Sequence, residues 1–357
     1  MFSWLRKKRT EATASASRGQ PEASWAGAPG ADTSWPNAAQ WLQRLEWTVL
    51  KRLDGQLQGD YRSLFRGSGL VLADLREYQA HDDVRHIDWN VTARMQTPYV
   101  REHQEDREIA AWFVVDLSAS VAFGSGPTSK RQLACNAVAV LSKMLSQHGN
   151  RVGLVLFTGQ DRAHSVVPAR SGRRHLLHIV HQMLQAGQAP VHASDVQTSA
   201  LGPWLAQAQS VLKRRSAVFV VSDFISSPGW GKPLAQLARR HEVVAVRLRD
   251  PLEMAWPDNT GMLLVQDAES GEQLLVDGND AGFRQRFAQQ AQDREAALLS
   301  NLSQAGVDCL ELNTDEAMDQ ALLRFAQLRK RASQLSTGGR TATVGSQRPL
   351  QTGGVHA

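Results

Sequence analysis

The stretch that decides the fold is residues 111–120, Ala-Trp-Phe-Val-Val-Asp-Leu-Ser-Ala-Ser. An apolar run with aromatic and β-branched residues ends at Asp116, and hydroxyls follow at Ser118 and Ser120. A short run that is apolar on both faces predicts a buried central strand, so the Asp-x-Ser-x-Ser motif lies on the loop at its carboxyl end. In open α/β sheets, ligands bind at that edge.

Asp116, Ser118 and Ser120 form an oxygen-only cluster. One carboxylate and two hydroxyls on a tight loop suit a hard, octahedral cation, Mg²⁺ or Mn²⁺. The alternative is a strand-to-helix loop in which the Asp and Ser side chains only cap backbone amides. This stretch alone does not decide between the two.

Composition indicates a globular protein of the cytoplasm. The chain has 357 residues, 42% of them hydrophobic, which is enough for one large domain or two modest ones. Cys135 and Cys309 stand far apart in apolar surroundings, as expected of small buried side chains in a reducing compartment. No apolar stretch approaches the about 18 residues that span a bilayer, and the first residues lack the apolar core of a signal peptide. The net charge of +5 lies largely in the tails, so we expect binding to neither nucleic acid nor a membrane.

The chain divides into four regions. Residues 1–36 are rich in Ala, Ser, Gly and Pro, and residues 334–357 in Gly, Thr and Gln, so both are predicted to be disordered tails. Residues 37–108 combine a helix with short, highly charged extended pieces. In residues 109–333, strands alternate with helices, which predicts an α/β domain with a doubly wound, mostly parallel sheet.

Two details follow from this division. In the charged region, Tyr78 and Trp89 are predicted to pack into the core, with residues 84–89 extended. The alternative is that Asp82, Asp83 and Arg85 form a second polar surface for a protein partner. In the α/β domain, a helix is predicted from Asp195 to Lys213.

A second group of candidate ligands comes from later in the chain. The apolar run Ala-Val-Phe-Val-Val-Ser, residues 217–222, ends in Asp223, and a neighbouring parallel strand would bring Asp223 beside Asp116. Two carboxylates that close repel unless a cation or a proton lies between them. Ser194 offers a third hydroxyl before a helix, and Thr198, one turn later, is the other possibility. The predicted metal ligands are Asp116, Ser118, Ser120, Ser194 and Asp223.

These residues resemble the metal-ion-dependent adhesion site of von Willebrand factor A domains. The rest of the chain, over roughly residues 55–330, is similar to the domain-of-unknown-function family 58. That resemblance lies in Gly69-Leu70, Leu75-Arg76-Glu77-Tyr78, Asp82-Asp83-Val84-Arg85-His86-Ile87-Asp88-Trp89, Ala93-Arg94, Arg101-Glu102, Val246-Arg247, Asp250-Pro251, Asp267 and Gly271-Glu272. The chain departs from the family pattern twice: His81 stands where Gly usually precedes the paired acids, and Ser194 where the hydroxyl is usually Thr.

The resemblance implies a cytoplasmic partner of MoxR-type AAA+ ATPases that acts in the assembly, activation or metal loading of client proteins. A binding role is also chemically reasonable. Two acids and three hydroxyls, some of them acting through water, would leave a divalent ion incompletely neutralised and with an open coordination position. That position could accept a carboxylate from another protein. We therefore expect a metal-dependent protein-binding module and no catalysis.

The rival interpretation is a Mg²⁺-dependent hydrolase or phosphoryl-transfer enzyme with Asp116 as nucleophile. Such sites normally need a second carboxylate near the first, where this chain has Ser118. The sequence contains neither a P-loop nor a Gly-x-Ser-x-Gly nucleophile elbow. Basic pairs such as Arg173-Arg174 fall at predicted helix ends and give little support for nucleic-acid binding.

Overall fold

A central six-stranded sheet organises the chain. The computed structural model describes residues 38–45, 49, 53, 75–79, 84, 87, 89–101, 110–159, 163–188, 200–257, 259–266 and 273–338. The strands are β1 Leu75–Glu77, β2 Tyr99–Arg101, β3 Ala110–Asp116, β4 Arg151–Phe157, β5 Ser165–Arg170, β6 Ala217–Ser222, β7 Glu242–Arg249, β8 Met262–Gln266, β9 Gln273–Asp277 and β10 Asp308–Asn313. In the large sheet the order is β10-β7-β6-β3-β4-β5. All neighbours in it are parallel except β4 and β5, which are antiparallel.

Helices cover both faces of this sheet. Their bounds are α1 Ala38–Leu45, α2 Trp89–Met95, α3 Lys130–Gln147, α4 Arg173–Gln188, α5 Leu201–Val211, α6 Gly231–Arg240, α7 Ala281–Ala305 and α8 Met318–Gly338. One buried apolar cluster joins the sheet to α1, α3, α4 and α8. A second cluster joins the other face to α5, α6 and α7. The doubly wound, mostly parallel α/β fold predicted from the sequence is confirmed.

Strand β3 lies at the centre because both of its faces are apolar. Phe113 and Val115 belong to the first cluster, whereas Val114 belongs to the second. Successive side chains of a strand point to opposite faces, so one short apolar run contributes to both layers of the core. The strand ends where the polar residue Asp116 begins the loop toward α3.

Two smaller sheets complete the described fold. Strands β1 and β2 pair antiparallel, and so do β8 and β9. The β8–β9 hairpin rests on an aromatic cluster formed by Trp256, Phe283 and Phe287.

The sequence prediction for the charged region was wrong at Trp89. This residue begins helix α2 and is 69% exposed, so it does not fill the core. Aromatic side chains are usually buried, but none of the residues of α2 is buried, so this helix inserts no side chain into the core. The alternative surface formed by Asp82, Asp83 and Arg85 lies outside the described residues.

Three further predictions can be compared with the structure. The helix predicted to begin at Asp195 is described as α5, from Leu201; residues 195–199 lie outside the described part of the chain. Cys135 and Cys309 are free thiols, and burial raises the pKa of each to about 12. Among the described helices, none has the length and hydropathy that a bilayer crossing requires.

Candidate metal centre

Asp116 ends β3 with its carboxylate inside the protein. The residue is only 4% exposed, and one carboxylate oxygen, Oδ1, accepts a hydrogen bond of 2.9 Å from the Ser118 amide. This contact two residues ahead turns the chain at the end of the strand. The other oxygen, Oδ2, accepts from the Ser222 hydroxyl at 2.9 Å. Parallel pairing of β3 with β6 explains that contact, since Val115 lies opposite Val221.

Ser118 and Ser120 bring their hydroxyls together on the same loop. Their Oγ atoms are 3.1 Å apart, Ser118 being buried and Ser120 half-buried. Ser118 stands at the N-cap of a short 3₁₀ turn, Ala119–Ala122, but its side chain makes no capping hydrogen bond. The capping role that the sequence allowed is therefore taken by Asp116 and not by Ser118.

Asp223 follows β6 at the same edge and is 3% exposed. Its Oδ1 atom accepts from the Ile225 amide at 3.0 Å. Its Oδ2 atom accepts from the ammonium group of Lys130 at 2.7 Å. Both oxygens of this carboxylate are thus engaged by donors from the protein itself.

Lys130 is a buried cation between two acids. Its side chain is 1% exposed and contacts Glu253 as well as Asp223. Burial works against the charged form, but the attraction of both carboxylates outweighs it, and the pKa of Lys130 is raised above its usual value. The residue is the first of α3, whose start is fixed by a capping box between Ser129 and Gln132.

A second hydrogen-bonded acid extends this network across the sheet edge. The backbone amide of Asp250, just after β7, donates to Glu253. The Asp250 carboxylate accepts from the Ser125 amide at 2.9 Å and from the Thr314 hydroxyl at 2.8 Å. These donors lower the pKa of Asp250 although burial opposes them. The loop after β3 and the residues that follow β7 and β10 are thereby joined.

The electrostatics of Asp116 differ from those of Asp250. Burial, and next the charge of Asp223, raise the pKa of Asp116 to about 6 from 3.8, while hydrogen bonds from Ser118 and Ser222 offset only part of the effect. Burial lowers the pKa of the Arg131 guanidinium, and the negative charge of Asp116 offsets only part of this effect. The ionised Asp116 carboxylate is therefore unfavourable where it stands, and a cation bound to it would remove the penalty.

Comparison with known proteins identifies the family. The family described as "Protein of unknown function DUF58" matches residues 74–297.

The chain belongs to the DUF58 family.

Relatives of this DUF58 chain occur in mycobacteria. The uncharacterized proteins Rv1480 of Mycobacterium tuberculosis and Mb1516 of Mycobacterium bovis are each 36% identical over 302 residues, which is 85% of this chain and 93% of theirs. The uncharacterized protein MAV169 of Mycobacterium avium is 31% identical over 169 residues, 47% of this chain and 95% of that one.

Two solved structures are similar to parts of this chain. The conserved hypothetical protein BatB from Bacteroides thetaiotaomicron is 14% identical with a TM-score of 0.38, covering 63% of this chain and 99% of that one. An aerotolerance-related membrane protein from Bacteroides fragilis is 13% identical with a TM-score of 0.40, covering 62% and 99%.

The DUF58 chain brings four of the five predicted ligands to one edge of the sheet. Asp116, Ser118 and Ser120 share a loop, and Asp223 follows the adjacent strand. Ser194 and its alternative Thr198 lie outside the described residues. Within the described residues, no three His, Cys, Asp or Glu side chains form a metal-binding group. The candidate site is of another kind, made of carboxylates and hydroxyls.

The donor set fits an octahedral divalent ion. Mg²⁺ holds oxygen ligands at roughly 2.0–2.1 Å, so adjacent ligands of its octahedron lie roughly 2.9 Å apart. The 3.1 Å between the hydroxyls of Ser118 and Ser120 is close to that spacing. Asp223 fits less directly, since Lys130 already neutralises part of its charge.

Sequence reasoning missed Lys130 and Glu253. Glu253 lies two residues beyond the Asp250-Pro251 pair, and its side chain completes a capping box with Asp250. A usable signal for Lys130 was its position directly after Ser129. A cation in the first turn of a helix is disfavoured by the helix dipole, which indicates that something else in the fold holds it.

Proposed function

We propose that this DUF58 chain is a non-catalytic protein-binding module whose loop at Asp116 holds Mg²⁺ or Mn²⁺, and that it acts as a partner or adaptor of a MoxR-type AAA+ ATPase on client proteins. The observation that carries the metal is the pair of hydroxyls 3.1 Å apart beside a buried carboxylate of raised pKa. The ATPase rests on the family resemblance alone. In this proposal Asp116, Ser118, Ser120 and Ser194 supply oxygens, and Asp223 acts through its charge or through water.

Charge supports a role in binding. Asp223, Glu253 and Lys130 share a net charge of about −1, and an ionised Asp116 adds another. A divalent ion would balance these charges, but with mostly neutral hydroxyl ligands it would remain a strong acceptor for a further anion. A glutamate or aspartate of another protein is the natural ligand for it, and such a contact would lie at the centre of an interface.

The first experiment measures the metal alone. We expect Mg²⁺ or Mn²⁺ to raise the Tm of the full chain relative to chelator, with about 2.7 kcal/mol of added stability at 100 times the Kd. The variant Asp116→Ala should fold and lose this shift, whereas Asp293→Ala, an exposed acid on α7, should keep it. If the wild type melts at the same temperature with and without the ion at full loading, the metal part of the proposal is wrong.

The second experiment measures the partner. AAA+ ATPases need Mg²⁺ themselves, so the ion is kept constant and the binding module is varied. We expect the wild type and Asp293→Ala to bind a purified MoxR-type ATPase with equal affinity in Mg²⁺ and nucleotide, and Asp116→Ala to bind at least about tenfold more weakly. Equal affinity of all three would refute metal-dependent docking.

The same variants test the enzyme alternative. Turnover of phosphate monoesters or carboxylic esters that is lost in Asp116→Ala and kept in Asp293→Ala would favour a Mg²⁺-dependent hydrolase. We expect no turnover above background, because Ser118 stands where such enzymes normally have a second carboxylate close to the first.

A further inference from the structure

A cavity of about 260 Å³ adjoins the Asp223 side of the candidate site. Three segments line it: the loop that follows β6, the end of β7 with the turn after it, and helix α7. Phe224 and Trp230, whose ring centroids are 5.3 Å apart, form an aromatic wall, and Leu298 and Met254 add apolar surface. The cavity is smaller than the roughly 300–1,000 Å³ of sites for drug-sized ligands, so it suits a group of about one residue.

Three arginines line this mostly apolar space with donors to spare. The Nε atom of Arg247 is buried and has no acceptor within the described residues. Among the described residues, Arg294 donates only to the backbone carbonyls of Gln290 and Glu253, at 3.3 and 3.5 Å. The side chain of Arg249 makes no hydrogen bond or ion pair in the described part of the chain. Unsatisfied donors in a half-buried site favour a ligand that brings acceptors.

The acids around the cavity are already paired. Asp223 and Glu253 hold Lys130 between them, and Glu295 binds Arg247 at 2.5 Å with a second contact at 2.8 Å. The surroundings as a whole are therefore nearly neutral. Arg249 and Arg294 form no ion pair with a carboxylate in the described part of the chain, although Glu253 and Asp223 attract Arg294 from a longer distance and Glu295 interacts with Arg249 in the same way. Both arginines line the cavity.

We propose that this cavity is a docking site for the C-terminal residue of another protein, with its carboxylate on Arg249 and Arg294 and an apolar side chain against Phe224, Trp230 and Leu298. A chain-terminal residue carries an anion and an apolar group within the volume of one residue. An internal acidic side chain would need a second residue to supply the apolar part. The docking goes beyond the proposed metal-dependent binding, because it uses different side chains and no ion.

The test uses the full chain, in chelator, with two small probes. N-acetyl-leucine carries the terminal carboxylate and an apolar side chain, and N-acetyl-leucinamide has the same shape without the charge. Indole ¹⁵N labelling reports on the ten tryptophans, and Trp230→Phe assigns the resonance at the cavity. We expect the acid to shift the Trp230 resonance saturably and to bind about ten- to hundredfold more tightly than the amide, as one charge-assisted hydrogen bond would give.

Variants on one helix provide the matched control. Arg294→Gln should reduce the preference for the acid over the amide, and Arg249→Gln should do the same from the strand side, since each removes one of the two cations that hold the carboxylate. Arg286→Gln changes an arginine of α7 whose side chain is 58% exposed, and should leave the affinity unchanged. Because the ion is absent, failure of the metal site would not affect these readouts.

Three results would overturn the inference. The first is equal binding of acid and amide, or no shift of Trp230 with either, which can be read on the unmutated protein even if a variant fails to fold. The second is full binding of the acid by both Arg249→Gln and Arg294→Gln. The third is free leucine binding at least tenfold more tightly than N-acetyl-leucine, since the cavity would then take a free amino acid and not a chain end.

Discussion

Asp116 and Asp223 end neighbouring parallel strands and are buried almost equally, 4% and 3% exposed, yet they have different partners. Asp223 accepts a hydrogen bond from an ammonium group at 2.7 Å. The direct hydrogen-bond donors to Asp116 are an amide and a hydroxyl, both neutral. The same residue type at equivalent positions of the sheet thus accepts a hydrogen bond from a cation in one case and, among the hydrogen bonds described for the other, only from neutral groups, with Arg131 acting on Asp116 through its charge.

The difference in partners indicates that the two acids have different roles. A buried carboxylate that holds a lysine is a structural anchor, and removing the lysine leaves an uncompensated charge. A buried carboxylate whose hydrogen-bond donors are neutral is destabilised in its ionised form, and a bound cation would reduce that penalty. We therefore expect Asp223 to contribute mainly to stability and Asp116, under the proposed function, to binding.

The largest effect is expected from Lys130→Met, which abolishes the anchor. It would leave Asp223 and Glu253 buried with no cation between them, and loss of one partner of a buried ion pair costs about 3–5 kcal/mol. Urea denaturation at pH 7.5 measures the loss. Lys143→Met, a half-buried lysine of the same helix, should cost less than about 1 kcal/mol. Adding Asp223→Asn to Lys130→Met should recover part of the stability, because one of the stranded charges is then gone.

A loss below about 1 kcal/mol for Lys130→Met would contradict the anchor role, since the cost of a stranded buried charge exceeds that value. A double variant no more stable than Lys130→Met alone would contradict it as well. Either result would mean that Asp223 does not depend on the lysine, and the two acids would no longer differ in the way described.

The next effect concerns the pH dependence of Asp116. Its pKa is about 6 in the folded protein against an ordinary 3.8, so the folded state binds more protons than the unfolded state between about pH 4 and 6. The free energy of unfolding in chelator therefore falls as the pH rises through this window. The part due to Asp116 is roughly 3 kcal/mol for about two pKa units.

Asp116→Asn removes this contribution and keeps a similar shape. In chelator at pH 7.5 the variant should be more stable than the wild type by up to that amount, and the two should converge near pH 4. Other acids titrate in both proteins, so the measured quantity is the difference between the two denaturation curves. Asp293→Asn should follow the wild type at every pH. A constant offset between Asp116→Asn and the wild type, independent of pH, would exclude a raised pKa.

The parts of the site that lie close together in the sequence could be predicted, whereas contacts between residues far apart in the sequence could not, unless a rule of the fold brings them together. Asp116, Ser118 and Ser120 are visible because a strand and the loop that leaves it are local in sequence. Asp223 was found because parallel strands align their ends, which is a rule of the fold.

The cation at Asp223 could not be found in that way. Lys130 lies 93 positions from Asp223 and 123 from Glu253, and the contact depends on how the start of α3 packs on the sheet edge. The burial predicted for Trp89 was wrong for a related reason. An aromatic residue alone does not show whether its helix packs against another part of the fold. The role of Ser194 in the ligand set stays a prediction, as do the boundaries assigned to the four regions of the chain.

The smallest effect is expected from Ser222→Ala, which tests the neutral side of the comparison. The Ser222 hydroxyl donates to Asp116 at 2.9 Å and accepts from the Phe224 amide at 3.0 Å, so its removal should cost about 1–2 kcal/mol in chelator at pH 7.5. Much of that cost depends on the negative charge of Asp116, because a hydrogen bond to a charged group is stronger than one to a neutral group. In the Asp116→Asn background the same substitution should therefore cost less, with a coupling energy of about 1 kcal/mol.

Ser216→Ala, which removes a buried hydroxyl bound to the Arg214 carbonyl, should show no coupling to Asp116. If the coupling energy with Asp116→Asn were as large for Ser216→Ala as for Ser222→Ala, both variants would act by destabilising the sheet as a whole. The cost of Ser222→Ala would then not depend on its hydrogen bond to a charged Asp116.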